Sequence, residues 1–178
     1  MATKFWSDPA AEPKRNYNYK VTLGTAGDAF WVKSCSTPSF DVSNTEIHHF
    51  DNRYYFPGRV TWNPVSIVMV DPINADVAKI VAEFLKNSDY QVPTNATTKT
   101  KSISRANSFA ALGEVVIDVY GHDLSTGQAV ETWTLKNAFI ESAKFGDLAY
   151  DNDELKQIDM TIRYDHAHHS QSDLGKKA

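Results

Sequence analysis

The sequence predicts a mainly β protein, an antiparallel β-sandwich or barrel-like domain with one packed α-helix. Three observations predict it. Several segments alternate apolar and polar residues with period two, the pattern of a strand buried on one face. A single segment, 72–87, switches to helical spacing. Strands both precede and follow that helix with no repeated strand–helix–strand unit, which removes the parallel α/β architectures. With 178 residues, 42% of them hydrophobic, the chain is large enough for one domain with a real core.

Residues 1–16 carry Pro9, Pro13 and a Lys14-Arg15 pair and read as an extended N-terminal arm. Tyr17, Tyr19, Val21 and Leu23 then share one face of a first strand, with Asn18, Lys20 and Thr22 on the other. Gly24 to Asp28 supplies a turn, and Phe30 to Cys35 is expected to return as its hairpin partner. From Ser36 the residues are mostly polar, with Pro38, Phe40, Val42 and Ile47 spaced as in a strand facing solvent or a partner. No strong breaker separates them from R-Y-Y-F-P-G-R-V-T-W, Arg53 to Trp62, so 36–62 is expected to form one long hairpin. The strand-like run continues to Val70.

Next, Ile73, Val77, Ile80, Val81, Phe84 and Leu85 fall at helical spacing, with Asp71 placed to cap the helix and Pro72 suited to its first turn. The helix is expected over 72–87. Residues 88–112, rich in Ser, Thr and Asn with Lys99, Lys101 and Arg105, read as a long surface loop. Three strands close the chain: Glu114 to Tyr120, a run from about Val130 to Phe145, and one ending at Asp165. In the last, Ile158, Met160, Ile162 and Tyr164 alternate with Gln157, Asp159, Thr161, Arg163 and Asp165. Residues 166–178 read as a flexible C-terminal tail.

The bulk chemistry excludes several function classes. A formal net charge of −4 argues against a general nucleic-acid binder, which needs a basic excess to neutralise phosphates. Cys35 is the one cysteine, so neither an internal disulfide nor a Cys-rich zinc site is available, and it reads as a small buried apolar residue. The N-terminus lacks the apolar run of a signal peptide and no stretch is long enough to span a bilayer, so a cytosolic product is expected. Nucleophile-elbow, P-loop and dinucleotide motifs are missing, and the chain is read as no enzyme, with no cofactor. His48 and His49 would point to opposite faces of a strand. The D-H-A-H-H cluster from Asp165 to His169 borders a polar end, and these histidines, like His48 and His49, read as solvated or interface groups; the acidic Tyr150 to Glu154 run lacks the glycine and terminal glutamate of a calcium loop and reads as a turn leading into the last strand.

The aromatic stretch, with Tyr54, Tyr55, Phe56, Pro57, Gly58 and Trp62, admits three readings: lining for a ligand pocket in a β-barrel, a platform for base stacking, or a surface covered by another copy of the chain. The acidic balance weakens the second. Polar rows along the final sheet weaken the first. Self-association accommodates both the polar row and the aromatic edge.

Four segments taken in order resemble the tail tube proteins of contractile-tailed bacteriophages, a family similar in fold to the type VI secretion tube protein. They are P-K-R-N-Y-N-Y-K-V from Pro13, R-Y-Y-F-P-G-R-V-T-W-N-P-V-S-I-V-M-V-D from Arg53, the helix after Asp71, and L-K-N-A-F-I-E-S-A-K-F-G-D-L-A-Y-D-N-D-E-L-K-Q-I-D-M-T-I-R-Y-D from Leu135 to Asp165. The resemblance spans 13–165; the 88–112 segment and the tail after Asp165 depart from it.

It implies a structural subunit of a virion, synthesised and assembled in the host cytoplasm. Hexameric rings with a continuous inner β-barrel would stack into a hollow tube for DNA ejection. Implied partners are the tail sheath, tape-measure, baseplate and tail terminator proteins, with transient contact to genomic DNA. On this view the aromatic stretch lies at the inter-subunit interface. A channel that lets DNA slide needs acidic or uncharged polar groups, for which Glu114, Asp118, Gln157, Asp159 and Thr161 are the candidates. Arg163, in the same row, is expected to pair with Asp159 or Asp165 or else to mark an outward face. The alternatives are a type VI secretion-type tube protein and a small-ligand-binding β-barrel.

Overall fold

A computed structural model describes residues 13–24, 27–29, 31–74, 77–91, 101–121, 127–151 and 153–171. The strands are β1 (Tyr19–Leu23), β2 (Gly27–Asp28), β3 (Val32–Cys35), β4 (Phe40–His49), β5 (Asn52–Trp62), β6 (Val65–Val70), β7 (Val115–Tyr120), β8 (Ala129–Lys136), β9 (Phe139–Lys144), β10 (Gln157–Arg163) and β11 (His166–Gln171). The helices are α1 (Val77–Asn87) and α2 (Arg105–Leu112). A five-stranded sheet has the order β11-β8-β7-β1-β2, a four-stranded sheet the order β3-β6-β10-β9, and β4 pairs with β5 alone. Every pairing is antiparallel.

The two larger sheets face each other across one core, and the period-two alternation decides which residues fill it. Val21, Leu23, Val115, Ile117 and Leu135 enter from the five-stranded sheet; Val65, Ile67, Met69, Ile158, Met160 and Ile162 enter from the four-stranded one. Each buried large apolar side chain is worth about 1.5–3 kcal/mol, so this layer dominates the fold's stability. Val77 and Val81 of α1 and Leu112 of α2 extend the same cluster. The N-terminus of α1 is held by Asp71, whose carboxylate accepts from Val77 N at 3.1 Å and from Lys156 Nζ at 2.9 Å. The lysine hydrogen bond, aided by those from the helix amides, holds the Asp71 carboxyl below the usual carboxylate range.

The structure departs from the sequence expectations at five places. The helix expected over 72–87 is observed over Val77–Asn87, with Pro72 and Ile73 before it and not in its first turn. Phe30 to Cys35 is not the hairpin partner of the first strand: the two residues of β2 take that place, and β3 crosses to pair with β6, where Val32 and Cys35 pack on the core from the other layer. The run from Val130 to Phe145 is two strands, broken at Asn137, which adopts a left-handed φ of 55°. Asparagine tolerates that region, and the corner passes the chain from one sheet to the other. The expected loop 88–112 contains α2, which buries Ser108, Ala111 and Leu112, while 92–100 lie outside the described residues. The tail after Asp165 begins as β11, the edge strand beside β8, with Ala167 packed on the core; 172–178 lie outside the described residues.

Asp165 ties these last features together. Its carboxylate accepts from Arg105 Nη2 at 3.0 Å and Asn137 Nδ2 at 2.7 Å, and its amide donates to the Lys136 carbonyl. One carboxylate thereby joins the start of α2 to the β8–β9 and β10–β11 corners, two of the places where the chain changes sheets. Gly24 is needed for a similar closeness, since a Cβ there would collide with the Leu112 carbonyl oxygen between α2 and β7.

Candidate assembly surface

The expected hairpin is present as β4 and β5, and neither strand packs substantially against any other element. Every residue in it is exposed except Trp62. At about 3.4 Å per residue, its arms reach roughly 30 Å from the body. Its root is aromatic: Trp62 meets Phe40 edge-on at 5.3 Å and Tyr164 at 6.1 Å, and Asn63 N donates to the Ser39 carbonyl.

Register assigns its two faces. Pairs Ile47↔Tyr54 and Thr45↔Phe56 put Ile47, Tyr54 and Phe56 together on one face. The opposite face carries Phe40 and Trp62, Val42 and Val60, then Tyr55, with Arg53 and His48 both directed at Glu46. Tyr54, Tyr55 and Phe56 are 50%, 60% and 54% exposed. A two-stranded hairpin is marginal alone in water, and this one exposes aromatic residues on both faces.

Pro57 and Gly58 shape the arm from within. β5 holds one more residue than β4 between the Val42↔Val60 and Asn44↔Pro57 pairs, a bulge at Gly58-Arg59 opposite Ser43. Arg59 N donates to Ser43 Oγ at 2.8 Å, and a Cβ on Gly58 would collide with that oxygen. At the tip Phe50 adopts a φ of 52°, unusual for an aromatic residue, and is 89% exposed.

The five proposed channel residues divide between the two sheets. Gln157, Asp159 and Thr161 lie on the outer face of the four-stranded sheet, alongside Ser66 and Ser142. Glu114 precedes β7, and Asp118 lies on it, both on the outer face of the other sheet; Glu114 pairs with Lys136 and Asp118 accepts from Thr132 Oγ1 at 2.6 Å. The two sets face away from each other and do not form one surface. Arg163 pairs with neither Asp159 nor Asp165 but with Glu141, at 2.9 Å, at a bulge in β9.

Of the histidines, His48 contacts Glu46 and His169 lies 3.4 Å from Glu131 and 4.6 Å from the Trp133 ring. No group of three metal-ligating side chains occurs among the described residues. Cys35 is half-buried, its Sγ donating to the Ser36 carbonyl at 3.3 Å, and burial pushes the thiol up to about 12.

Sequence reasoning missed three features. Phe50 was hidden because a turn residue is assumed polar. The β9–β10 loop exposes Phe145, Leu148, Tyr150 and Leu155; the signal was large apolar residues set among the acids of a turn-like run. An open apolar groove of about 1010 Å³ lies beside β9, lined by Phe84 and Leu85 of α1, Ile103, and Phe139, Ile140 and Ala143 of β9. The helical spacing assigned Leu85, like Ile80, to the core, yet both are exposed.

No protein-family profile and no curated protein matches the chain. Its fold does have counterparts among solved structures. One is a chain of the anti-feeding prophage cap, the tube terminating cap, with a TM-score of 0.65 at 14% identity over 90% of this chain and 93% of that one. A second belongs to the sheath/tube terminator of an extracellular contractile injection system, with a TM-score of 0.61 at 13% identity over 89% and 97%. A third belongs to the sheath-tube complex of such a system, with a TM-score of 0.59 at 14% identity over 92% and 95%. Two facing antiparallel sheets, two helices and a projecting hairpin thus give this chain the fold seen in the tube and tube-terminator assemblies of contractile injection systems.

Proposed function

We propose that the chain is a structural subunit of the tube of a contractile-tailed phage, forming hexameric rings that stack into a hollow conduit for DNA within a sheath. The observation that carries this reading is the hairpin, a two-stranded arm with exposed aromatic residues on both faces that no other element covers among the described residues. Another copy of the chain is the cover that also satisfies its edges. Within a ring, the free edges of the four-stranded sheet, β3 and β9, would meet those of neighbours to close the inner barrel. The apolar groove beside β9 offers room for the incoming strand.

The four-stranded sheet is the better wall for the bore. Its outward face interleaves Ser66, Ser142, Gln157 and Thr161 with Val68 and Val70, Asp159 stands opposite Lys144, and Arg163 is neutralised by Glu141. A duplex passing such a wall meets small polar and apolar groups and no cationic trap. Glu114 and Asp118 would then face outward, towards a sheath.

Two other readings are kept apart by experiment. A ligand-binding barrel requires space between the sheets, where instead Val21, Ile117, Ile67 and Met160 pack together. The likeness to cap and terminator chains favours a ring that ends a tube. Negative-stain electron microscopy of the purified chain tests all three. Long tubes are expected; isolated rings indicate a terminator, and a monomer at high concentration refutes assembly. Deleting Asn52 to Gly58 is expected to leave a folded monomer that makes no tubes.

A further inference from the structure

The two free edges of the four-stranded sheet carry opposite charge at the same end. β6 runs from Val65, opposite Ile162, to Val70, opposite Gln157. At the Val70 end, Val32 lies across from Met69 and Val70 N donates to the Trp31 carbonyl, so the β3 edge presents Trp31, Val32 and Lys33 there. At that end too, β9 finishes with Lys144, opposite Asp159, and passes into the β9–β10 loop.

Beside β3 a cleft of about 650 Å³ opens between the two sheets, lined by Asn16, Tyr17, Tyr19, Lys20, Val32 and Lys33. Across 13–40 the chain holds the cations Lys14, Arg15, Lys20 and Lys33 against one acid, Asp28. Lys14 pairs with Glu131 and Lys20 stands opposite Asp118, whereas Arg15 and Lys33 are exposed and make no ion pair among the described residues. The loop from Phe145 to Lys156 is the converse. It holds Asp147, Asp151, Asp153 and Glu154 against Lys156, which is taken by Asp71. Asp147, Asp151 and Asp153 make no ion pair among the described residues. Exposed apolar groups accompany both charges, Tyr17 and Trp31 at the cleft and Leu148, Tyr150 and Leu155 on the loop.

We infer that the β9–β10 loop of one copy seats in the cleft around Tyr17 and Lys33 of the neighbouring copy in the same ring, with its aspartates against Arg15 and Lys33. This rests on the assembly reading above and adds to its edge pairing a side-chain clasp that sets the register. Strand direction agrees. β3, β6, β10 and β9 alternate in direction, so a copy related by rotation brings its β3 antiparallel to β9 and the ladder runs on across the joint. Rotation about the ring axis also preserves level, which brings the loop to the end of β3 where the cleft opens. Backbone pairing alone tolerates a slip of two residues, because side chains keep their faces. Opposite charges held at one level penalise that slip.

Two variants of the full chain test the clasp. One is Arg15→Glu with Lys33→Glu; the other is Asp147→Lys with Asp151→Lys and Asp153→Lys. Each alone is expected to need at least a tenfold higher concentration before large particles sediment, with the melting temperature unchanged. An equimolar mixture of the two is expected to assemble near the wild-type concentration, since each loop then meets a cleft of opposite sign. Normal assembly of either variant alone, or a mixture no better than its parts, overturns the inference. Should a variant misfold, Cys35→Ser with Lys33→Cys and Tyr150→Cys replaces it, oxidised after assembly. Covalent multimers no larger than one ring are expected, and none from either single-cysteine parent; no cross-link, or a ladder running past the ring, overturns the clasp. A wild-type chain that stays monomeric rejects the tube reading itself, whereas tubes indifferent to these charges reject the clasp alone.

Discussion

Replacing Phe50, Tyr54 and Phe56 by serine removes the apolar tip and one apolar face of the hairpin without touching the core. Phe50 is 89% exposed in the single chain, so nearly its whole transfer energy, about 2 kcal/mol, is left to be gained in assembly. Tyr54 and Phe56, half exposed, have about 1 kcal/mol each left to gain. The sum is about 4 kcal/mol for each hairpin seated, close to a thousandfold in the association constant at about 1.4 kcal/mol per decade. The assay is sedimentation velocity over a concentration series, read as the concentration at which large particles appear. Thermal unfolding of the dilute chain is expected to change little, because these side chains have no core contacts to lose. Assembly at the wild-type concentration would refute the reasoning outright. A large fall in melting temperature would show instead that the hairpin folds back on its own chain.

Substituting Gln157→Lys, Asp159→Lys and Thr161→Lys is expected to leave tubes intact but make them retain duplex DNA in a salt-dependent manner, while Glu114→Lys and Asp118→Lys on the other sheet do not; a filter-retention assay across salt concentrations separates the two faces, and equal retention would reject the bore assignment. Asp71→Asn is expected to destabilise the chain by about 1 kcal/mol at neutral pH, by weakening the cap of α1 and the bond from Lys156. Because the folded Asp71 carboxyl titrates below its ordinary range, its contribution is full above that range and fades as pH falls through the lowered value, so wild type and variant should converge in acid denaturation; parallel curves would exclude the cap. Cys35, its thiol pushed up to about 12, should be alkylated at pH 8 about a thousandfold more slowly than a free thiol, and rapid labelling would contradict its burial.

The core was legible because alternation is a strong signal wherever one face of a strand is buried: Val21 and Leu23, Val115 and Ile117, and Ile158, Met160 and Ile162 all point inward as their spacing requires. Partner choice was not legible. Nothing in Phe30 to Cys35 distinguishes a hairpin return from a crossing to the other sheet, because both bury Val32 and Cys35. The break at Asn137 depends on a single backbone angle, and β11 was missed because H-A-H-H-S-Q, at an edge facing solvent, carries almost no apolar signal. For the candidate surface, the aromatic stretch was visible as an excess of ring side chains without a core to hold them. The exposed apolar residues of the β9–β10 loop were hidden, since Leu148, Tyr150 and Leu155 are set among acids and read as a turn.

An arm with two free edges and apolar faces invites indiscriminate strand pairing, and this one carries its own restraints. Pro57 has no amide hydrogen to offer a stray strand. The bulge at Gly58-Arg59 adds twist that a flat partner cannot follow, and Glu46, Arg53 and His48 crowd one face with charge. Most of these obstacles lie between the root and the tip, whereas Ile47, Tyr54 and Phe56 are left clear on the other face and Phe50 at the end. Selectivity therefore comes from where the arm is blocked as much as from where it is sticky. It disfavours a flat stray strand along its length and leaves Ile47, Tyr54, Phe56 and the tip to a partner shaped to follow its twist.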